Sequence, residues 1–215
     1  MSKNEKKVRK PEDSDKGFRF VRKIVNPLYK FWYNPTIIGA ENIPEDGAII
    51  VAGNHMHIMD QCNIFLATKR TMHYMAKKEY FDGPFAPFFR FAGCISVDRE
   101  RNDMNCLRSA LSVLDRNGAI GIFPEGTRNR TDEFLLRFKP GTGFLAKKSG
   151  ALIVPFGVAG DYKFRSKNLR VVIGKPIDPK DMSREEIMLR LREEIGRLMI
   201  EAAENNHPKA KSLGA

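Results

Sequence analysis

The sequence predicts an α/β fold: a single domain with a mostly parallel central sheet flanked by helices, preceded by an amphipathic membrane-interface helical segment. Three observations lead there. Short apolar runs alternate with longer, periodically amphipathic stretches over most of the chain, the pattern of strands joined by helical crossovers. No internal repeat and no linker divides the sequence. With 215 residues, 42% of them apolar, there is material for one sizeable core.

Residues 1–16 are charged, lack an apolar centre and read as a disordered basic tail rather than a secretory signal. Residues 17–35 contain FRFVRKIVNPLYKFWYN, where Phe18, Val21, Ile24, Val25, Leu28, Phe31 and Trp32 recur at three- and four-residue spacings between Arg19, Arg22, Lys23 and Lys30. This predicts a basic amphipathic helix, broken or kinked near Pro27. Aromatic rings beside cations suit a membrane interface; a helix packed on its own domain would show the same spacing.

Residues 36–205 form the predicted domain. AIIVAGN (48–54) reads as a buried strand, and IMDQCNIFLATK (58–69) as a helix. MHYMA (72–76) is a strand, YFDGPFAPFFRFAG (80–93) a broken and very apolar segment, and CISVD (94–98) a strand. A helix over 102–118 has Asn102 as its cap and Gly118 as its stop. AIGIF (119–123) is a strand and TGFLAKKSG (142–150) a short helix. ALIVPFGVAG (151–160) and NLRVVIGKPI (168–177) are further strands. Ser183 and Glu186 make a capping box for a helix over 183–204, and residues 206–215 read as frayed.

Lys plus Arg number 37 and Asp plus Glu 26, for a net charge of +11. That excess points to an acidic partner: an anionic membrane, a phosphorylated substrate or nucleic acid. Charge alone suggests nucleic acid, and no recognition motif supports it, so nucleic acid is not expected. Cys62, Cys94 and Cys106 are odd in number and lack metal-like spacing, which suits a reducing cytoplasm. No apolar run approaches the roughly 20 residues of a membrane-spanning helix.

Four sequence blocks carry chemistry. His55 follows a strand, where open α/β sheets bind ligands. Asp60 falls about a turn into the next helix and can fold back toward it. A histidine held by a carboxylate is the base half of a triad, although many such pairs are only structural. Gly-x-Ser-x-Gly is absent, so a substrate hydroxyl is the expected nucleophile. His57 reads as a packing residue. In IFPEGTRNR (122–130), Gly126 permits a tight turn. Glu125, Thr127 and Arg128 would project from it, with the guanidinium suited to a phosphate. Lys139 and two glycines precede a helix start, a second candidate anion site, without Walker order. Asp98 and Arg99 end another strand, where they could be a surface pair or a further anion contact.

Together these blocks resemble the glycerolipid acyltransferase family. The match runs through Asn54-His55 with Asp60, Gly93 to Asp98-Arg99, Phe123-Pro-Glu-Gly-Thr-Arg128, and the apolar run into Val154-Pro155, about half of the chain. The resemblance implies acyl transfer from a thioester, acyl-CoA or acyl carrier protein, to a hydroxyl of a phosphorylated glycerol. His55 would be the base and Asp60 its orienting partner. Glu125, Gly126, Thr127 and Arg128 would bind the acceptor, with Lys77 and Arg99 near its phosphate. No metal or redox cofactor is implied. His57 stands where the family often has Ser, a departure that bears on acceptor preference. The short chain favours lysophosphatidic acid (1-acylglycerol-3-phosphate) as acceptor over glycerol-3-phosphate or another lysophospholipid. The expected setting is cytoplasmic, peripheral on the inner face of the cell membrane. The phenylalanines of 80–91 would suit an acyl pocket, or a packed core.

Overall fold

The computed structural model describes residues 11–98 and 104–204. The tail before residue 11, Arg99, the Asn102 cap and the C-terminus from residue 205 lie outside the described residues. Seven strands form one sheet: β1 (Thr36–Ile38), β2 (Ile49–Gly53), β3 (Met72–Lys77), β4 (Ile95–Val97), β5 (Ala119–Ile122), β6 (Leu152–Ala159) and β7 (Arg170–Ile173). Their spatial order is β1-β7-β6-β2-β5-β3-β4. Every neighbouring pair is parallel except β6 with β7. The helices are α1 (Pro11–Tyr33), α2 (Asp60–Ala67), α3 (Glu79–Asp82), α4 (Ala86–Phe91), α5 (Met104–Leu114), α6 (Gly141–Ser149) and α7 (Arg184–Glu204).

Strand alternation divides the core. Ile50 and Ala52 of β2 pack with Cys106, Ala110, Leu145 and Ile187, from α5, α6 and α7. Ile49 and Val51 belong to the opposite layer, with Phe18 of α1 and Ile64 of α2. All five β2 residues are buried, as expected of a parallel strand covered on both faces. Helix α7 lies so close to β6 that a Cβ on Gly157 would sit 2.4 Å from the Met199 nitrogen. The capping box forms: the Ser183 amide donates to Glu186 Oε2 at 2.7 Å, and the Glu186 amide to Ser183 Oγ at 3.2 Å.

Two expectations are corrected. Helix α1 is unbroken through Pro27, and it begins at Pro11, inside the stretch expected to be disordered. An interior proline forfeits one backbone hydrogen bond. Contacts on both sides of it hold the helix down: Asn26 Nδ2 donates to the Phe65 carbonyl at 2.8 Å, and the Tyr29 hydroxyl to Asn63 Oδ1 at 2.7 Å. The helix is also part of the domain, with Phe18, Val21 and Tyr29 buried. The second correction is an added strand. β1 pairs with β7 in parallel, Ile37 opposite Val171.

Candidate active site

The functional residues gather at the carboxyl ends of adjacent strands. β2 and β5 are hydrogen-bonded neighbours, Ala52 opposite Ile122. The loops that leave them are tied together. The His55 amide donates to Glu125 Oε1 at 2.8 Å, and the Asn129 amide donates to the His55 carbonyl at 2.6 Å. Glu125 Oε2 accepts from the Leu136 amide at 3.0 Å. Glu125 is therefore buried and taken up by protein N–H groups, and it does not project beside Arg128 as the sequence suggested. On the other side, Asn54 extends the β2–β6 ladder. Its amide nitrogen donates to the Val158 carbonyl at 3.0 Å and its oxygen accepts from the Val158 amide at 2.8 Å.

Asp60 opens α2 and is fully buried. Its Oδ2 accepts from the Met56 amide and the His57 amide, each at 2.8 Å, and lies 2.8 Å from His55 Nδ1. The amides fix the carboxylate, and the carboxylate sets Nδ1 as the protonated ring nitrogen. That leaves the Nε2 lone pair to accept a proton. The His55 ring stacks on Phe123, with centroids 4.0 Å apart and planes within 10°. Stacking and hydrogen bond together hold one ring orientation. His57 packs against Tyr162, with centroids 4.1 Å apart. Burial, with the charges of Arg128 and His55, holds its pKa below the ordinary value against the opposing pull of Asp60.

His55 lies on the wall of a cavity of about 780 Å³. Thr127, Arg128 and Lys77 line the same cavity. Apart from Gln61 and Arg130, most of its remaining wall is apolar, including Val25 of α1 and Phe85, Phe88 and Phe89 of the 80–91 segment. A turn closed by the Gly126 amide and the Phe123 carbonyl (2.9 Å) presents Thr127 and Arg128. Gly126 has φ of +69°, and a Cβ there would meet Lys139 Cδ at 2.7 Å. The turn thus needs glycine both for its backbone and for the lysine lying across it.

An imidazole fixed by a carboxylate, beside cations and an apolar cavity, can take a proton from a bound hydroxyl and hold an anion nearby. Comparison with known proteins gives the family. The family described as Acyltransferase matches residues 34–159, more than half of the chain.

The chain belongs to the acyltransferase family.

Its relatives include a Bacillus subtilis protein named 1-acyl-sn-glycerol-3-phosphate acyltransferase, 27% identical over 68% of this chain and 75% of the relative. A Borreliella burgdorferi protein of the same name is 32% identical over 62% of this chain and 54% of the relative. Among solved structures, the LPA acyltransferase PlsC from Thermotoga maritima superposes with a TM-score of 0.72 at 26% identity, covering 90% of this chain and 83% of that one.

Within the acyltransferase, the nominated residues do not all converge. Lys139 and Gly126 line an adjoining cavity of about 500 Å³ on the α6 side of the loop, not the cavity of about 780 Å³ that His55 shares with Thr127 and Arg128. Lys77 pairs with Glu79 at 2.7 Å. Asp98 reaches Lys78 at 3.7 Å. Burial pushes the Cys62 and Cys94 thiols up to about 12, so neither is an acyl-carrying nucleophile at neutral pH. Sequence reasoning missed Asn54, Phe123 and Tyr162 as parts of the site. Asn54 and Phe123 stood inside quoted motifs; nothing local marked Tyr162. Among the described residues, no helix is long and apolar enough to cross a membrane.

Proposed function

We propose that the protein transfers a fatty acyl group from a thioester, acyl-CoA or acyl carrier protein, to the sn-2 hydroxyl of 1-acylglycerol-3-phosphate, forming phosphatidic acid. The observation that carries this is His55, held by the buried Asp60, on the wall of a cavity lined by both cations and aromatic rings. Nε2 takes the hydroxyl proton as the oxygen attacks the thioester carbonyl. The carbon–sulfur bond then breaks, and the leaving thiolate takes the proton back from the imidazolium. Asp60 keeps its contact with Nδ1 and steadies the imidazolium. Arg128, with Thr127 and Lys77, would hold the acceptor phosphate, and Arg99 and Lys139 are further candidates from the sequence pattern. Phe85, Phe88 and Phe89 would line the acyl chain.

The acceptor is itself a lipid, and the surface suits it. Phe20, Ile24, Leu28, Phe31 and Trp32 form an exposed stripe on α1, each at least 49% accessible. Arg19, Lys23 and Lys30 lie on the same helix. Rings and cations together would seat the protein on an anionic membrane without crossing it, and the inner face of the cell membrane is the seat proposed for it.

The test is thiol release from acyl-CoA, or deacylation of acyl carrier protein, on anionic vesicles. Wild type should respond to 1-acylglycerol-3-phosphate, and His55→Ala should lose roughly 10²- to 10⁴-fold. A response to glycerol-3-phosphate alone would replace the acceptor in this reading. Silence of folded protein with both donors and both acceptors would end it.

A further inference from the structure

The two oxygens of Asp60 are held from different parts of the chain. Oδ2 is satisfied locally, by His55 and two amides of its own loop. Oδ1 accepts from the hydroxyl of Tyr162, 102 residues later, at 2.5 Å. Tyr162 sits in the β6–β7 connection. Its hydroxyl also accepts from Asn63 Nδ2 at 2.8 Å, and Asn63 Oδ1 accepts from the Tyr29 hydroxyl at 2.7 Å. A continuous path therefore runs from α1 through α2 to the dyad, with each member's donor and acceptor roles assigned.

Tyr162 is fixed as a ring as well as a hydroxyl. It stacks on His57 and meets Tyr33 edge-on at 5.4 Å. Burial and the neighbouring Asp60 charge push its phenol far above the ordinary range, so it remains a donor at any working pH. The same connection is fastened to the end of α1. The Arg165 amide donates to the Trp32 carbonyl at 2.8 Å, and the Phe164 ring lies 4.9 Å from the Trp32 ring.

We propose that Tyr162 is a positioning residue of the reaction: its hydroxyl fixes the Asp60 carboxylate that orients His55, and helix α1 holds Tyr162 through Asn63 and Tyr29. This rests on the acyl-transfer reading above. The loop amides hold one end of the carboxylate through Oδ2. The Tyr162 hydroxyl holds the other end through Oδ1 and so tightens the aim of Oδ2 at His55 Nδ1.

Tyr162→Phe keeps the ring and removes the hydroxyl. In the vesicle assay, kcat should fall about 10- to 100-fold, as expected on losing one hydrogen bond to a buried carboxylate. KM for donor and acceptor should stay within about twofold, because no substrate contact changes. Tyr29→Phe should lower kcat less, again with KM unchanged. The double variant should be no slower than Tyr162→Phe alone, since both act along one path. An unchanged kcat in Tyr162→Phe, or a change confined to KM, would overturn the proposal. Multiplying effects in the double variant, or an inert Tyr29→Phe, would overturn the link to α1. A proton NMR measurement separates this from the functional reading. The His55 Nδ1–H resonance should move or broaden in Tyr162→Phe even if no acceptor proves active, and an identical resonance in both proteins overturns the proposal. Should Tyr162→Phe fail to fold, the same resonance and kcat in Tyr29→Phe decide: a shift with lowered kcat supports the path, and no change in either overturns it.

Discussion

His57, two residues from the base, is kept from becoming a second one. Burial, helped by the Arg128 charge, holds its pKa below the ordinary histidine value of 6.5 against the pull of Asp60. The unfolded chain therefore binds a proton at this residue more readily than the folded chain does. Its contribution to stability is complete above pH 6.5 and is lost as the pH falls below that, through the folded value. Denaturant unfolding at pH 7.5 and 5.5 should show wild type losing more stability than His57→Gln over that interval; equal losses would refute the assignment. The residues of the site were legible to unequal degrees. His55 and Asp60 stand five apart, so a turn into a helix suffices to join them. Glu125 was legible as a member of a loop but not in its direction, because its partners are amides at residues 55 and 136. Tyr162 was illegible: its partner lies 102 positions away, beyond the end of the neighbouring strand, and a tyrosine after a Gly-Asp pair carries no local signal.

Helix α1 illustrates what a periodic pattern can and cannot decide. Its apolar positions were visible, and they split into two stripes. Phe18, Val21 and Tyr29 are buried, whereas Leu28 and Phe31 are 63% and 60% accessible. The packed reading therefore holds on one side, and the other side keeps the open apolar face that the membrane reading requires. Leu28→Ser and Phe31→Ser should each weaken binding to anionic vesicles roughly tenfold, in line with the area of one apolar side chain. The melting temperature should stay unchanged in Leu28→Ser, which leaves the core intact, and fall slightly in Phe31→Ser, which also gives up its contacts with Phe164 and Arg165. Undiminished vesicle binding in both would refute membrane docking through this stripe. The long buried strands were easy to read because β2 and β6 are continuous apolar runs. β1 was not, since three residues give no period and its partner is 134 positions away at Arg170. The broken segment of 80–93 resolved into two short helices, α3 and α4, separated at Gly83-Pro84-Phe85.

At the scale of the whole molecule, the alternation of strands and helices was sufficient to give a mostly parallel sheet, but not the order of its strands or the antiparallel return of β7. That order puts β2 and β5 side by side at the centre, and so brings two loops seventy residues apart into one site. The basic excess is used unevenly: Arg128, Arg130 and Lys77 line the cavity that contains His55, and Arg19, Lys23 and Lys30 share a helix with the exposed rings.

Phe85 and Phe88 belong to that cavity wall, yet they are 71% and 47% accessible. Phe91 of the same helix meets Phe20 of α1 with ring centroids 6.0 Å apart. The exposed part of the cavity wall is thus apolar, like the exposed stripe of α1, and it borders that stripe. On a docked enzyme, a lysolipid would slide in sideways from its own leaflet, with no passage through the aqueous phase. The quantity that governs turnover would then be the mole fraction of acceptor among its lipid neighbours. Diluting the acceptor with inert lipid at constant bulk molarity should slow the reaction in proportion, and a rate indifferent to that dilution would show that the acceptor arrives through water instead.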